Sequence, residues 1–201
     1  MYKRQEKKRF AGEEIFGKTL GIVGLGAIGS MVANLGSSLG MKVIGYDPAI
    51  SVETAWQLSS KVKRMDSLET LLSQSDFVTL HVPAIPSTKD LINSKNLRKM
   101  KPSAKLLNFA RAEIVNLNDL IDAIENKVIG GYISDFPMPG MIGLKNVLLM
   151  PHIGASTKEA EENCAVMASE QLIDFLENGN IINSVNFPSN EMARTDGTRI
   201  T

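Results

Sequence analysis

Three glycines that directly follow a short apolar run constrain the fold of this chain more than any other feature. The run TLGIV (19–23) is followed by GLGAIG, which places glycines at 24, 26 and 29, and a helical pattern begins at Ala27. A strand that ends in a tight glycine turn and leads straight into a helix is typical of the first β-α unit of a parallel sheet. The segment therefore predicts an α/β fold.

The rest of the chain repeats this alternation. Short β-rich runs predict further strands at 42–46, 62–65, 77–82, 104–109, 130–134 and 147–150, with helices at 27–39, 66–73, 94–100 and 116–126. The pairs Asp66–Glu69 and Ser156–Glu159 have capping-box spacing, which predicts two helix starts. Together these elements predict a Rossmann-type, doubly wound parallel sheet.

A last, longer helix is predicted from Thr157 to Glu177, with Asn178-Gly179 as its C-terminal stop. Its apolar positions form one broad stripe, which we expect to pack into the core. The stripe consists of Ala165, Val166, Ala168, Leu172, Ile173 and Leu176.

The glycine segment also predicts a ligand. Gly24 permits the tight turn, Gly26 lets the backbone approach a pyrophosphate, and Gly29 lets the helix pack close to the strand. Asp47 follows Gly29 by eighteen residues, at the end of the second predicted strand. An acid there accepts hydrogen bonds from both ribose hydroxyls but repels a 2′-phosphate. We therefore predict a dinucleotide site that takes NAD rather than NADP.

The composition of the chain indicates which classes of partner to expect. The chain has 201 residues with 22 basic and 22 acidic side chains, so no overall charge favours nucleic acid or an anionic membrane. Cys164 is the one cysteine, which fits a reducing compartment, and no signal peptide or long apolar span is seen. We expect a cytoplasmic protein with a small-molecule partner and no metal site.

The two ends of the chain differ from the middle in charge and in hydrophobic pattern. MYKRQEKKRF has five basic residues in ten, and a solvated helix end is favoured over a nucleic-acid tail because Glu6 interrupts the run. The segment SNEMARTDGTRIT has few apolar residues and no clear helical or strand period, which predicts a linker or tail. We expect a dinucleotide-binding domain over residues 1–188 and a linker over 189–201.

Several later segments resemble the D-2-hydroxyacid dehydrogenase family. GKTLGIVGLGAIG, LHVPAIPSTKDLI, LLNFARAEIVN, GGYISDFP, MPHIGAST and SVNFP occur in the family's order, from about residue 17 to residue 188. SVNFP is most similar to the members that act on 3-phosphoglycerate in serine biosynthesis. The resemblance implies hydride transfer between NAD(H) and a 2-hydroxy acid, a homodimer, and a substrate-binding domain largely missing from this chain.

The resemblance also implies site residues. His152 is expected to exchange the proton at the substrate C2 oxygen, and Arg111 to hold the substrate carboxylate. Asp135 matches the acid that holds the nicotinamide carboxamide. The full set expected to border the cofactor is Gly24, Gly26, Ala27, Ile28, Gly29, Tyr46, Asp47, Pro48, His81, Val82, Pro83, Thr88, Ala110, Arg111, Asp135, His152 and Gly154.

Two departures from the family pattern bear on the chemistry. Ala112 stands where the family usually has glycine, and this strains the loop if the position needs a positive φ. The family glutamate that pairs with the histidine is also missing, because residues 136–151 contain no acid. Without a carboxylate His152 should be protonated less readily, unless Glu113, Glu159 or a group outside the chain replaces it.

Two kinds of function remain open. The chain is either part of an NAD-dependent dehydrogenase, for 3-phosphoglycerate or another acid such as glycerate or lactate, or an NAD-sensing binding module without that activity. Arg111 and His152 favour the first, and the missing acid favours the second.

Overall fold

The computed structural model describes residues 12–184 and 186–193. The described chain divides after His152 into two compact units. The first contains the sheet and the second contains the last helix. The expectation for the basic N-terminal segment, residues 1–10, concerns residues outside the described range.

The first unit is built on a seven-stranded sheet in which every pairing is parallel. The order is β3-β2-β1-β4-β5-β6-β7. The strands are β1 Thr19–Val23, β2 Lys42–Tyr46, β3 Lys63–Arg64, β4 Phe77–Leu80, β5 Lys105–Asn108, β6 Gly131–Ser134 and β7 Val147–Leu149. The strand order reverses between β1 and β4, so a crevice for ligands is expected at their carboxyl ends. The predicted doubly wound parallel sheet is confirmed.

Helices connect the strands. They are α1 Ala27–Ser38, α2 Val52–Gln57, α3 Leu68–Gln74, α4 Ser94–Leu97, α5 Leu117–Glu125 and, in the second unit, α6 Lys158–Asn178. The sequence patterns missed α2, which has only six residues and begins at a Ser51 cap. Its short length gives too few turns for a helical period to stand out.

Both predicted capping boxes are wrong by one residue. The cap of α3 is Ser67, whose hydroxyl accepts from the backbone N–H of Thr70 at 3.1 Å. Likewise, Thr157 caps α6 by accepting from Ala160 N at 3.1 Å. In each case a hydroxyl residue follows directly after the predicted cap, and spacing alone cannot decide between two neighbouring candidates.

The apolar core of the first unit consists of two clusters. The larger one joins strands β4, β5 and β6 to helices α3 and α5, through residues such as Leu72, Leu106 and Leu120. The smaller one contains Leu20 and Ile22 of β1. Because neighbouring strand residues point to opposite faces, each face of the sheet has its own packing surface. The polar strand-end residues are thereby fixed on a rigid platform.

The second unit is dominated by α6, which ends at Gly179 with a φ of 69°. None of the helix's 21 residues is buried. The expectation that its apolar stripe packs into the core is therefore wrong, since Leu176 is 72% exposed and Val166, Leu172 and Ile173 are each more than half exposed. Helical period identifies an apolar face but not the surface that covers it.

Candidate functional site

The glycine segment forms a tight loop between β1 and α1. Gly24 has a φ of 90°, and a Cβ there would lie 2.5 Å from the carbonyl oxygen of His81. A Cβ at Gly29 would overlap the carbonyl oxygen of Gly24, whereas one at Gly26 would meet nothing within 4 Å. The first and third glycines are thus required by packing, and the second leaves open space in front of the backbone.

The start of α1 borders that open space. Gly26 is the N-cap, with no side-chain cap hydrogen bond and no acid in the first turn. The first hydrogen bond of the helix is donated by Ser30 N to Gly26 O at 2.9 Å. The first N–H groups of a helix have no carbonyl partner within it and carry a partial positive charge. This end of α1 is therefore suited to bind an anion.

Asp47 lies just past the end of β2 and contacts the glycine loop. Its Oδ2 accepts from Leu25 N at 2.8 Å, and its Oδ1 accepts from Ala49 N at 2.8 Å. A carboxylate has about four acceptor positions, so two backbone bonds leave room for hydroxyl donors. Sequence reasoning identified this acid but missed that it also fixes the loop. Its neighbour Tyr46 packs partly against the larger core cluster, and Pro48 is exposed.

The segment after β4 forms the opposite side of the crevice. His81 follows the strand directly, and its Nε2 lies 3.0 Å from the Thr79 hydroxyl. Burial lowers the pKa of His81 and so favours the neutral ring. The Thr88 hydroxyl donates to the Pro83 carbonyl and accepts from Ile85 N at 3.0 Å. Its hydroxyl therefore holds the loop in shape, a role that the sequence did not predict.

Six of the predicted cofactor residues line one cavity of about 340 Å³. Its lining is Ile28, His81, Val82, Pro83, Ala84, Phe109, Ala110 and Arg111. Ala84 and Phe109 were not predicted, although each adjoins a residue that was. The ends of β4 and β5 and the start of α1 thus meet around one space.

Arg111 is held by a buried polar residue at the end of β5. The Asn108 side chain donates to the Arg111 carbonyl at 2.8 Å and accepts from Ala110 N at 3.1 Å. The Arg111 guanidinium donates to the Ala110 carbonyl at 2.7 Å and lies 5.8 Å from the centre of the Phe136 ring. Asn108 was missed, although a polar residue ending an apolar strand is a usable signal.

Ala112 does not strain this loop. It begins a 3₁₀ helix that ends at Ile114. Among the described residues, positive φ occurs outside glycine only at Asp90, Lys127, Asn146 and Asn183. The condition for strain at Ala112 is therefore not met, and alanine is tolerated there.

His152 has a carboxylate partner. Its Nδ1 lies 2.8 Å from Asp135 Oδ2, and the exposed fractions of the two side chains are 56% and 13%. The carboxylate that the sequence left open is therefore supplied by Asp135, and in the structure it is neither Glu113 nor Glu159. Residues 136–151 indeed contain no acid, but the residue just before them supplies one.

The register of the last two strands explains this pairing. Ser134 of β6 lies opposite Leu149 of β7, and Met150 N donates to the Ser134 carbonyl at 2.9 Å. Asp135 and the segment leading to His152 therefore leave the sheet side by side. Phe136 also contacts His152, with ring centres 4.7 Å apart. Gly154 belongs to the second unit, and its predicted role stays a prediction.

Two other kinds of site are absent from the described residues. No group of three or more His, Cys, Asp or Glu side chains in them is placed to hold a metal ion. No helix in them has the length and hydropathy needed to cross a membrane.

Residues 1–154 match the family of D-isomer specific 2-hydroxyacid dehydrogenases, NAD binding domain. The chain belongs to this family. The family resemblance inferred from the motifs is thereby confirmed, as is NAD as the cofactor.

Individual relatives agree with this assignment. D-3-phosphoglycerate dehydrogenase of Synechocystis sp. is 43% identical over 189 residues, which cover 91% of this chain and 34% of that protein. The Haemophilus influenzae enzyme of the same name is 38% identical over 96% of this chain and 48% of that protein. The chain therefore spans between a third and a half of the length of these relatives.

A solved structure shows the same fold. The NAD-complexed D-isomer specific 2-hydroxyacid dehydrogenase of Lactobacillus delbrueckii ssp. bulgaricus is similar with a TM-score of 0.76 and 30% identity. The match covers 89% of this chain and 59% of that one.

Proposed function

We propose that this chain is the cofactor-binding part of an NAD-dependent dehydrogenase that oxidises a D-2-hydroxy acid or reduces the 2-keto acid. The observation that supports this most is the Asp135–His152 pair, 2.8 Å apart at the carboxyl ends of β6 and β7. An imidazole held by a carboxylate is suited to proton transfer at neutral pH. Because Asp135 supplies a carboxylate beside His152, the absence of such an acid no longer favours a non-catalytic NAD-sensing module.

The residues present fit NAD. The open space at Gly26 and the uncapped start of α1 fit the pyrophosphate, with the main chain of Ala27 and Ile28 beside it. Asp47 fits the adenosine ribose, and Tyr46 and Pro48 flank it. The buried Asp135 Oδ1, which has no hydrogen-bond partner among the described residues, fits an amide donor such as the nicotinamide carboxamide. Val82, Pro83, Thr88 and Ala110 complete the proposed contacts of the first unit.

NAD, when bound, supplies the hydride acceptor for oxidation and the hydride donor for reduction. His152 donates its Nδ1–H to Asp135, and this leaves Nε2 to exchange the proton at the substrate C2 oxygen. General acid-base help of this kind contributes about 10²- to 10⁴-fold to a rate. Arg111 binds the substrate carboxylate, for which a planar guanidinium is suited because it can donate two parallel hydrogen bonds.

The substrate that we propose is 3-phosphoglycerate. Its support is the name of the curated relatives and the SVNFP segment near the end of the chain. Glycerate and lactate are the competing substrates. We further propose a homodimer, a cytoplasmic location, and a domain boundary at residue 188 with a linker after it.

Two measurements test these proposals in order. Fluorescence titration of the chain should show saturable NADH binding and much weaker NADPH binding, because Asp47 repels a 2′-phosphate. The full-length protein should then reduce 3-phosphohydroxypyruvate with NADH faster than it reduces hydroxypyruvate or pyruvate. Tight NADH binding without turnover of any 2-keto acid would instead support the NAD-sensing module.

A further inference from the structure

The Phe136 ring contacts both of the side chains to which we assign chemistry. Phe136 is half-buried, and its ring centre lies 4.7 Å from that of His152, with the two ring planes tilted by 39°. The guanidinium carbon of Arg111 lies 5.8 Å from the centre of the same ring. A cation at that distance is attracted to an aromatic ring. One phenyl ring therefore contacts the proposed proton-transfer group and the proposed carboxylate-binding group.

The main chain of Phe136 is attached to the end of β5. Phe136 N donates to the Ser134 hydroxyl at 3.0 Å, and this hydroxyl donates to the Asn108 carbonyl at 2.8 Å. The Asn108 side chain in turn donates to the Arg111 carbonyl at 2.8 Å. Ser134 and Asn108 are both fully buried, so water does not compete for these bonds. The aromatic ring and the arginine loop are thus attached to the same buried residue.

A contact with a phenyl ring holds these two side chains without occupying their hydrogen-bonding groups. The N–H donors of a guanidinium lie in its plane, whereas an aromatic ring attracts a cation through its π face. His152 uses Nδ1 for Asp135 at 2.8 Å, and the ring contact leaves Nε2 available. A polar side chain at position 136 would compete with a substrate for the same donors and acceptors.

We propose that Phe136 is a positioning residue that sets the separation between Arg111 and His152. The carboxylate and the keto oxygen of a 2-keto acid lie on adjacent carbons, so the two groups that bind them must be held at a fixed distance. The phenyl ring has no hydrogen-bonding group and takes no part in proton or hydride transfer. This inference rests on the proposed function.

The test compares variants of the full-length protein with and without the ring. Phe136→Leu and Phe136→Met remove it, and Phe136→Tyr keeps it. Phe77→Leu is the matched control, because the Phe77 ring also contacts a cation, with Lys105 Nζ 5.4 Å from its centre. Phe77 begins β4, so it lies at the edge of the sheet opposite the site. The measurements are KM and kcat with 3-phosphohydroxypyruvate, hydroxypyruvate and pyruvate, and Kd for NADH.

Both variants without the ring should raise KM and lower kcat for the keto acid that the wild type reduces fastest. Because two ring contacts are lost, kcat/KM should fall about 5- to 100-fold. KM rises when Arg111 no longer holds the carboxylate in place, and kcat falls when His152 no longer meets the keto oxygen. Kd for NADH should change less than about twofold, and Phe136→Tyr and Phe77→Leu should keep kcat/KM within about twofold.

A second readout tests the contact itself without turnover. The chain has only two histidines, so ¹H NMR can follow both imidazole rings. An aromatic ring displaces the resonances of nearby protons, so Phe136→Leu should shift the ring protons of His152. The ring protons of His81 should stay in place and serve as the internal reference.

The outcomes separate this inference from the proposed function. If the wild type binds NADH but reduces none of the three keto acids, the proposed function fails and the inference fails with it. If the wild type is active but both variants without the ring keep its KM and kcat, or the His152 protons do not shift, only the role of Phe136 is overturned. A fall in kcat at unchanged KM, or an equal loss of NADH affinity, would also overturn that role, because a general structural defect would then explain the result.

Discussion

Replacing Asn108 by leucine tests whether the buried network holds the site together. Asn108 is fully buried and makes three side-chain hydrogen bonds, to the Arg111 carbonyl, to Ala110 N and to the Tyr132 hydroxyl. Leucine has a similar size but no polar atoms, so the change removes these bonds without leaving a large cavity. It also frees the loop that carries Arg111.

The expected cost follows from the groups that lose their partners. An unsatisfied buried polar group costs about 1 to 3 kcal/mol. The two backbone groups lie on partly exposed residues that water can reach, so we take the lower end, about 1 kcal/mol, for each. The buried Tyr132 hydroxyl adds about 1 to 3 kcal/mol, so we expect about 3 to 5 kcal/mol in total. For a chain of this size each kcal/mol lowers Tm by roughly 2 to 4 °C, which gives a fall of roughly 6 to 20 °C.

Asn126→Leu is the matched control. Asn126 donates to the Asp122 carbonyl at 3.0 Å and to its Oδ1 at 2.9 Å, but both residues are exposed. Water can replace both of these exposed bonds, so we expect a cost of about 0.5 kcal/mol. Urea unfolding and thermal melts of both variants provide the measurement. Equal destabilisation by the two changes would refute the argument that burial of Asn108 determines its contribution.

Three further predictions concern the cofactor side. Asp47→Ala should weaken NADH binding by about 10- to 100-fold in a fluorescence titration, since a bond to a charged group contributes about 1.5 to 3 kcal/mol. Unchanged affinity would show that Asp47 serves only the loop. Gly24→Ala should cost about 1 to 3 kcal/mol of stability from its positive φ alone, whereas Gly26→Ala should fold normally and lose NADH binding; equal urea midpoints for the two variants would contradict this. Burial lowers the pKa of His81, so the unfolded state binds more protons below ~6.5 and the wild type should lose stability as pH falls through that range. Urea titrations of His81→Asn at two pH values should lack this part of the loss, and an identical pH dependence would count against it.

The sheet could be predicted from the sequence because its strands depend on short local patterns of apolar residues and glycines. The strands β1, β2, β4, β5 and β6 contain short apolar runs, as parallel strands with buried faces do, and the glycine loop fixes where the first strand ends. The ends of the strands were predicted less accurately than their positions in the chain. The run 77–82 was predicted as one strand, but β4 ends at Leu80, and the next residues turn away to border the cavity.

The pairing of Asp135 with His152 could not be predicted from spacing. The two residues are seventeen positions apart, and their contact depends on the register of β6 against β7. A one-residue shift in that register would turn the side chains to the other face of the sheet. Asn108 and Phe136 were missed for a related reason, since their roles are set by neighbours on other strands. The predicted site residues themselves remain predictions.

The strand order also limits the size of the ligand that the proposed contacts can accept. Asp47 follows β2 and Asp135 follows β6, and the sheet order places β1, β4 and β5 between these two strands. Four strand spacings of about 4.8 Å separate the two acids by roughly 19 Å along the edge of the sheet. The start of α1, with its free N–H groups, lies between them. A ligand that reaches both acids must therefore be extended, with hydroxyl donors at one end, an anion in the middle and an amide donor at the other end. ADP-ribose has the hydroxyls and the anion but lacks the amide donor, so the difference between its affinity and that of NADH measures the contribution of the Asp135 end of the site.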